Sequence, residues 1–423
     1  MPDPSPSITL SKVPCPFCSL LCDDLVITNQ DGRLHIEKYG CVRAVAGFER
    51  PIMPSSPRVR GTATTLEEAI NTTVALLREA HQPLYAGLGT DVAGIRAVLA
   101  LADRTGGVVD HMYSEGAMRN FLALQARGWM TTTLAEVKNR ADLLIFAGTD
   151  MVRDCPRFFE RMVWNEHSLF DLDPSERSVI YLGRGLDTTA GETPKGHKPL
   201  HIPCEIDQLG EIALVIRALL AGQILQSAMV AGVKIGELQA LAERMKQARY
   251  GVMVWSPGQF NFPHADLIIQ SLCDLVKDLN QFTRFAGLTA AGSGGDISAG
   301  SVCAWQAGFP LRTSFGSGYP AYDPWRYSAQ RLVAREEADA VVWISSFHPE
   351  SPPVTKIPTV VIGLPQLHLK QEPEVFIPVA TPGVDHAGQL IRCDNVVSLP
   401  LRQVRTSPLP MVAGVLNAIQ HAL

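Results

Sequence analysis

Short apolar runs typical of buried strands alternate with helical patterns along most of this chain. The runs are Leu84–Gly89, Asp142–Phe146, Ser178–Leu182, Tyr250–Trp255, Ala340–Ile344 and Thr359–Ile362. Helical patterns such as Leu209–Ala221 and Gly236–Ala248 lie between many of them, and Thr65 with Glu68 forms a capping box at the start of another helix. Strands that alternate with helices build parallel sheets with helices on both faces. We therefore predict an α/β fold with two doubly wound, Rossmann-like parallel-sheet domains, because one sheet cannot house this many strands.

The first 56 residues have a different character and are predicted to form a small cysteine-bearing β unit. Two strand-like runs, Leu25–Thr28 and Leu34–Glu37, flank the turn Asn29–Gly32, which is typical of a hairpin. A linker rich in proline and serine, Pro51–Pro57, follows this unit.

Charge and hydropathy exclude two classes of partner. The 423 residues carry a formal net charge of −5, so no basic surplus is present to neutralise nucleic-acid phosphates. The longest apolar run, Ile212–Leu225, is interrupted by Arg217 and Gln223 and is too short to span a bilayer. Residues 1–6 have neither a basic nor an apolar region of a signal peptide, so we expect the protein in the cytoplasm.

The distribution of cysteines is the first chemical clue. The chain has nine cysteines, an odd number that argues against a disulfide framework. Four of them, Cys15, Cys18, Cys22 and Cys41, lie in the first 41 residues. The C-x2-C-x3-C spacing gathers three thiolates, and the predicted hairpin brings the fourth. Four thiolates suit a [4Fe–4S] cluster or a structural zinc ion, and this spacing favours iron–sulfur over zinc.

The alternative is a set of thiols that holds no metal. The remaining cysteines are isolated in sequence, as small buried hydrophobic residues usually are, and are predicted to be structural: Cys155, Cys204, Cys273, Cys303 and Cys393. The glycine-rich and aromatic-rich segment 286–324 is predicted to be a long functional or interface loop.

An ordered set of motifs resembles the molybdopterin- and tungstopterin-dependent oxidoreductases. The segment Cys18-Ser-Leu-Leu-Cys-Asp-Asp24 is similar to the start of the B subunit of formylmethanofuran dehydrogenase. Further segments resemble later motifs of that family: Ala141–Asp150 with Pro156-Arg157, Gly308–Pro310, Gly318–Pro324, Ile377–Ala380 with Gly383, and Arg392–Asn395. The resemblance extends from about residue 12 to residue 403, and it is the order of the motifs that makes it specific.

The departures from this family concern the metal. The family ligates molybdenum or tungsten through a cysteine or selenocysteine. The resemblance places this residue between Cys41 and the turn after Ala147. This sequence has no cysteine between Cys41 and Cys155. The resemblance places the ligand position at Gly116 and its neighbour at Ala117. Other replaced positions are Asp150 for asparagine, Cys155 for histidine and Gly183 for an acidic residue. We therefore predict that no tungsto- or molybdopterin binds and assign no catalytic or cofactor-binding residue.

The resemblance also implies a domain division and a role. A middle domain, 141–318, would be inserted into a domain formed by 57–140 and 319–423. A relative without redox chemistry is the B-like subunit of a bacterial formyltransferase/hydrolase complex, which converts formyl-tetrahydromethanopterin to formate through a furan-type carrier in formaldehyde oxidation. The resemblance implies a non-catalytic structural subunit with three partners: a zinc amidohydrolase-like A subunit, a C subunit and a formyltransferase D subunit.

Two other functions stay open. An active oxidoreductase subunit with an iron–sulfur cluster and a tungsto- or molybdopterin would need a ligand other than cysteine, such as Ser114 or Glu115. A free-standing α/β protein that binds a small molecule and a structural zinc ion is the third interpretation.

Two polar groups have a structural and a functional interpretation. His111 beside Asp110 is either a general base or, more commonly, a histidine held by a neighbouring carboxylate. Arg153, Arg157 and Arg161 either clamp an anion or form surface ion pairs, and the spacing favours ion pairs.

Overall fold

The computed structural model describes residues 7–170, 172–289, 292 and 294–423. The chain divides into two compact units: unit 1 contains Met1–Ser114 and Gly292–Leu423, and unit 2 contains Glu115–Ala291. These two units meet after residues 114 and 291 of the chain. The predicted domain boundaries at residues 56, 140 and 318 are different and stay a prediction. Within the described ranges, none of the helices is both long and apolar enough to cross a membrane.

The strands are short, as is usual for parallel sheets with frequent crossovers. In chain order they are β1 (Ile8–Val13), β2 (Leu25–Gln30), β3 (Arg33–Lys38), β4 (Arg58–Val59), β5 (Thr62–Ala63), β6 (Pro83–Gly89), β7 (Val108–Val109), β8 (Leu143–Ala147), β9 (Ser178–Leu182), β10 (Leu200–Ile202), β11 (Met229–Val230), β12 (Val233–Lys234), β13 (Tyr250–Trp255), β14 (Arg284–Thr289), β15 (Thr313–Ser314), β16 (Ala321–Tyr322), β17 (Ala340–Ser345), β18 (Thr359–Gly363), β19 (Val375–Pro378), β20 (Gly388–Ile391) and β21 (Ser398–Leu401).

The α-helices lie mostly between these strands. They are α1 (Val42–Phe48), α2 (Leu66–Glu79), α3 (Val92–Thr105), α4 (Ser114–Arg127), α5 (Leu134–Arg140), α6 (Leu209–Leu220), α7 (Ile235–Gln247), α8 (Ala265–Leu279), α9 (Asp296–Ala307), α10 (Ala329–Ala334) and α11 (Val412–Ala422). The predicted cap of α2 is confirmed, because the Thr65 hydroxyl accepts a hydrogen bond from the Glu68 N–H at 3.1 Å.

Unit 1 contains a nine-stranded sheet with a parallel centre. Its order is β16-β15-β7-β6-β17-β18-β19-β4-β5, and the five strands from β7 to β19 run parallel. Every residue of β6 is buried, as is every residue of β17. Strands covered on both faces need continuous apolar sequence, which is why these runs do not alternate with polar residues. The chain reverses its direction of travel across this sheet between β6 and β17.

The N-terminal part of unit 1 is a separate three-stranded antiparallel sheet of order β1-β2-β3. Its hairpin confirms the predicted turn: Asn29 pairs with Leu34, and Gly32 has a positive φ of 81°. The Asn29 side chain accepts a hydrogen bond from the Gly32 N–H at 2.9 Å, which holds the turn closed.

Unit 2 contains a five-stranded parallel sheet of order β10-β9-β8-β13-β14. Helices α6, α7 and α8 bury their apolar faces in one core cluster that includes Leu209, Leu241 and Leu272. The predicted α/β class with parallel sheets and a small N-terminal β unit is therefore confirmed.

The segment 286–324 is not the long loop that its glycines predicted. Its described part contains the end of β14, helix α9 and the antiparallel pair β15 and β16, while residues 290, 291 and 293 lie outside the described residues. Gly308, with a φ of 80°, ends α9 in the left-handed conformation that a glycine favours.

Candidate metal centre

Two separate parts of the N-terminal sheet supply the four predicted cysteines. Cys15, Cys18 and Cys22 lie on the loop between β1 and β2, and Cys41 follows β3 as the N-cap residue of α1. The loop closes on itself, because the Cys15 N–H donates to the Cys22 carbonyl at 2.7 Å. The Leu21 N–H donates to the Cys18 carbonyl at 3.2 Å, with Leu21 at a φ of 47°.

Packing of Phe17 holds the middle of this loop. Its ring is fully buried and meets the Phe48 ring edge-on, with centroids 5.2 Å apart. A Cβ atom at Gly47 would lie 2.2 Å from the Phe17 ring. Gly47 therefore lets α1 approach the loop, and α1 carries Cys41 at its start.

The four thiols influence one another electrostatically. Cys15, Cys18 and Cys22 are buried at 4%, 6% and 5% exposure, whereas Cys41 is half-buried. Burial raises the pKa of the Cys15 thiol well above its ordinary value, and the thiols of Cys18, Cys22 and Cys41 raise it further. If these side chains were deprotonated together, the thiolates would need a cation or cationic core to balance their charge.

The chemistry of this donor set suits a thiolate-bound metal or cluster. The Phe17 backbone N–H donates a hydrogen bond to the Cys15 sulfur and thereby lowers the pKa of that thiol. Yet in the parts of the chain that the structure describes, no group of three or more His, Cys, Asp or Glu side chains surrounds a point where one metal ion would fit. The four cysteines lie near enough to influence one another electrostatically, but they do not form a set of metal ligands here, and the metal assigned to them stays a prediction.

A fifth cysteine, predicted from the sequence to be structural, lies at the same loop. Cys393 follows β20, is 3% exposed, and its N–H donates to the Ser19 carbonyl at 3.0 Å. Burial raises the pKa of the Cys393 thiol to about 12, and the neighbouring Cys18 contributes to the rise. Sequence reasoning missed this residue because Cys18 and Cys393 are far apart in the chain.

A buried histidine and two arginines also lie close to the loop. His348 packs against the Phe17 ring, with centroids 5.9 Å apart. Burial lowers the pKa of His348 to about 4, and the positive charges of Arg50 and Arg43 lower it further. The Arg50 guanidinium donates to the Phe347 carbonyl at 2.9 Å, which fixes one of these charges.

Asp110 and His111 form part of a buried polar cluster in unit 1. The Asp110 carboxylate accepts hydrogen bonds from the N–H groups of His111 (3.0 Å) and Ala329 (2.8 Å) and lies 3.6 Å from the Arg312 guanidinium. The Tyr113 N–H donates to Nδ1 of His111, so Nε2 carries the proton and donates to the Gly294 carbonyl. Burial lowers the pKa of His111 to about 4, which keeps the ring neutral near pH 7.

Of the arginines that follow the turn after β8, Arg157 forms an ion pair with a neighbouring carboxylate. Arg157 is 6% exposed at its side chain and binds Glu160 through two hydrogen bonds, one of 2.9 Å from Nε. Asp150 accepts hydrogen bonds from the N–H groups of Arg153 and Asp187 at 3.5 and 3.4 Å. These side chains stabilise the turn and the short π-helix Phe159–Val163.

The position predicted to have lost the metal ligand lies early in α4. A Cβ atom built on Gly116 would lie 3.2 Å from the Gly258 Cα and N atoms and 3.5 Å from the Pro257 carbonyl carbon. The Arg119 guanidinium donates to the Pro257 carbonyl and to Asn261, both at 3.1 Å, and thereby fixes this backbone. The neighbouring Ser114 accepts a hydrogen bond from the Arg312 guanidinium at 3.2 Å within unit 1.

Comparison with known proteins gives relatives over nearly the whole chain. The B subunit of the tungsten-containing formylmethanofuran dehydrogenase 2 of Methanocaldococcus jannaschii is 29% identical over 424 aligned positions, which cover 94% of both chains. The B subunit of the formyltransferase/hydrolase complex Fhc of Methylorubrum extorquens is 29% identical over 341 positions, 78% of this chain and 87% of that protein. No protein family profile matches the chain.

A solved structure agrees with these relatives. A chain in the crystal structure of the formyltransferase/hydrolase complex (FhcABCD) from Methylorubrum extorquens, in complex with methylofuran, superposes with a TM-score of 0.73 at 27% identity. The match covers 87% of this chain and 98% of that chain. The resemblance inferred from the ordered motifs is thus confirmed: the chain is homologous to the B subunits of formylmethanofuran dehydrogenase and of the formyltransferase/hydrolase complex.

Proposed function

We propose that this chain is a structural B subunit of a formyltransferase/hydrolase complex without redox chemistry of its own. The complex would move the formyl group of formyl-tetrahydromethanopterin to a furan-type carrier and hydrolyse it to formate, as part of formaldehyde oxidation in the cytoplasm. Its partners would be the zinc amidohydrolase-like A subunit, the C subunit and the formyltransferase D subunit. The homologous chain in the methylofuran-bound FhcABCD crystal structure supports this proposal.

The proposed lack of redox chemistry rests on one observation: backbone atoms pack closely against Gly116. The family places a thiolate or selenolate at this position, and here even a Cβ atom would lie 3.2 Å from Gly258. Backbone atoms held by Arg119 yield less easily than a flexible side chain, so a cysteine at this position would require the two segments to move apart by a few tenths of an ångström. The cost would add to the loss of the soft ligand itself.

The nearest alternative ligand is also unfavourable. Ser114 is 3% exposed and its hydroxyl accepts a hydrogen bond from the Arg312 guanidinium. A guanidinium stays charged at every accessible pH and would repel a metal ion at that oxygen. We therefore propose that neither Gly116 nor Ser114 provides a metal ligand and that His111 and Asp110 are structural residues.

We further propose that Cys15, Cys18, Cys22 and Cys41 hold a [4Fe–4S] cluster or a zinc ion as a structural element. Bound thiolates would keep the loop between β1 and β2 fixed against α1. The two parallel sheets would be doubly wound, which their strand orders support because each reverses once near its centre.

Affinity purification of the tagged chain from its native host tests this role. Three other kinds of subunit should purify with it, and the complex should release formate from formyl-tetrahydromethanopterin. The His111→Gln and Asp150→Asn variants should keep the full rate, because both residues contribute packing and turn geometry alone. A monomeric chain without partners, or a variant complex that assembles but has a much lower kcat, would contradict the proposal.

The tungsten-containing relatives favour the alternative that the chain is an active redox subunit. Two of them, at 29% and 26% identity, match 94% and 95% of this chain. An active redox subunit would then need a ligand such as Ser114 or Glu115, and metal analysis separates it from the structural subunit.

A further inference from the structure

Four large aromatic side chains lie exposed on the surface of unit 1 and form what we call the aromatic face: Trp305, Phe309, Tyr319 and Trp325. Trp305, Tyr319 and Trp325 are 67%, 65% and 67% exposed. A side chain of this size buries about 150–250 Å² when it is covered, so these three leave roughly 300–500 Å² in contact with water. A patch of that area is as large as the largest on an ordinary monomer and is typical of an interaction site.

The aromatic face is continuous from the end of α9 to the edge of the nine-stranded sheet. Trp305 lies in the last turn of α9, and Phe309 follows the end of that helix. The Phe309 ring stacks on the ring of Tyr322 in the edge strand β16, with centroids 5.8 Å apart. The Trp325 N–H donates to the Asp323 carboxylate at 2.9 Å, which fixes Trp325 just after that strand. Most of the face lies in the segment 286–324, for which the sequence predicted a functional or interface role.

A groove with a volume of about 680 Å³ opens beside the aromatic face, between α3, α9 and α11. Gln306, which follows Trp305, and Pro320, which follows Tyr319, both line this α3 groove, so the groove and the face share a border. Helix α3 contributes small side chains to the groove: Ala93, Ala97 and Ala100. Small side chains let the backbone of a second helix approach closely.

Two opposite charges of α3 border the groove. Arg96 and Asp103 both line it and are exposed, and neither side chain forms an ion pair with another described residue. Residues seven positions apart lie two turns apart on the same side of a helix, at a distance of about 10 Å. An occupant with an acidic group opposite Arg96 and a basic group opposite Asp103 would therefore pair both charges.

The form of the occupant follows from the strand edge and the length of the groove. Strand β16 has two residues and is flanked by Pro320 and Pro324. Proline has no backbone N–H and protects a sheet edge from the addition of a strand. The part of α3 that lines the groove extends from Ala93 to Asp103, about 15 Å, which is the length of about three helical turns.

We propose that the α3 groove and the aromatic face dock an amphipathic helix of another subunit of the complex. This helix places large apolar side chains in the groove every three or four residues and pairs its own acid and base with Arg96 and Asp103. Trp305 and Trp325 are its main anchors, because covered tryptophans supply much of the binding energy of an interface. A standard interface covers about 800 Å² of each partner, and the three most exposed aromatic side chains supply about half of that. The inference rests on the proposed function, in which the chain is a subunit.

Purification of the complex through the tagged full-length chain tests the inference. Ala100→Trp fills the groove from an exposed position, and the Trp305→Ser/Trp325→Ser double variant removes the anchors. The matched controls are Ala75→Trp on the exposed side of α2 and Val354→Ser, which is 64% exposed. Each groove variant should retain about tenfold less of one particular subunit than wild type, and both controls should retain all subunits.

Charge exchange and crosslinking identify the occupant. Arg96→Asp and Asp103→Arg should each weaken the binding of that subunit about two- to fivefold, and the double variant should be the weakest, because both charges of the docked helix then meet like charges. If two copies of α3 packed antiparallel instead, the double variant would restore both pairs. A photoreactive benzoylphenylalanine in place of Ala100 should crosslink to a segment of the other subunit with apolar residues at helical spacing and an acid and a base two turns apart.

Four results would overturn the inference. If both groove variants retain every subunit at the wild-type level, the chain is a subunit but its groove is not the docking site. If the charge-exchanged double variant binds like wild type, or if the crosslink joins two copies of this chain, the occupant is a second copy. If the crosslinked segment lacks helical spacing, the occupant is not an amphipathic helix. If the wild type purifies without partners, the proposed function fails, and the inference fails with it. Thermal unfolding by circular dichroism confirms that each variant compared is folded.

Discussion

Replacement of Arg312 by methionine tests the interpretation of the Asp110 cluster as structural. The Arg312 and Asp110 side chains are 2% and 1% exposed and lie 3.6 Å apart. The substitution keeps most of the aliphatic volume but leaves the Asp110 charge buried without its cation. It also removes the hydrogen bonds from the guanidinium to the Pro324 carbonyl and the Ser114 hydroxyl.

The expected loss of unfolding free energy depends on the hydrogen-bond donors that Asp110 keeps after the substitution. Removal of one partner from a buried ion pair typically costs about 3–5 kcal/mol of unfolding free energy. Asp110 would keep the N–H groups of His111 and Ala329 as donors, so we expect the lower end, about 3 kcal/mol. The additional Asp110→Asn change should recover part of this loss, because a neutral amide is easier to bury than an unpaired carboxylate.

The exposed pair of Arg60 and Glu374 provides a matched control in the same unit. Its atoms are closer, at 2.7 Å, but the side chains are 74% and 31% exposed. We expect Arg60→Met to leave the unfolding transition unchanged, because water screens such pairs. Equilibrium unfolding in urea, with hydrogen exchange of β6 and β7 to identify the transition of unit 1, measures both variants. An Arg312→Met shift as small as that of Arg60→Met would refute the reasoning.

Two further predictions concern the cysteine loop and the buried histidines. Gly47→Ala should lower the unfolding free energy by about 1–3 kcal/mol and weaken metal binding, because the added Cβ would meet the Phe17 ring. Gly236→Ala is the control, because a Cβ atom at Gly236 would meet nothing within 4 Å. It should be neutral in the same melting and metal assays. Because the pKa values of His111 and His348 are lowered to about 4 in the fold, the unfolded chain takes up their protons first, and stability should fall between about pH 6.5 and pH 4. Urea titrations at several pH values give the unfolding free energy as a function of pH. This free energy should depend less steeply on pH in His111→Gln than in wild type. An identical pH dependence in the two proteins would contradict this origin.

The parallel strands and the N-terminal hairpin could be predicted because their signals are local. A strand such as β6 is buried on both faces and is therefore apolar at nearly every position. Helix α9 was missed because its buried residues are small, among them Ser298 and Gly300, so the sequence has little amphipathic contrast. Its terminal glycine, Gly308, was the available signal.

The candidate site was predictable only in part. The spacing of Cys15, Cys18 and Cys22 is a local property, and the ordered motifs led to the homologous family. By contrast, the place of Cys393 beside Cys18 and the contact of Gly116 with Gly258 arise from tertiary packing between distant segments. No single-sequence pattern encodes such a contact, because it depends on how the sheets and their connections pack together.

Metal analysis of the native complex, purified without oxygen, tests the central claim most directly. If the chain is a structural subunit, tungsten and molybdenum will be absent from it, while iron or zinc will accompany the cysteine loop. One tungsten or molybdenum per chain, released together with a pterin on denaturation, would contradict the account and identify an active redox subunit.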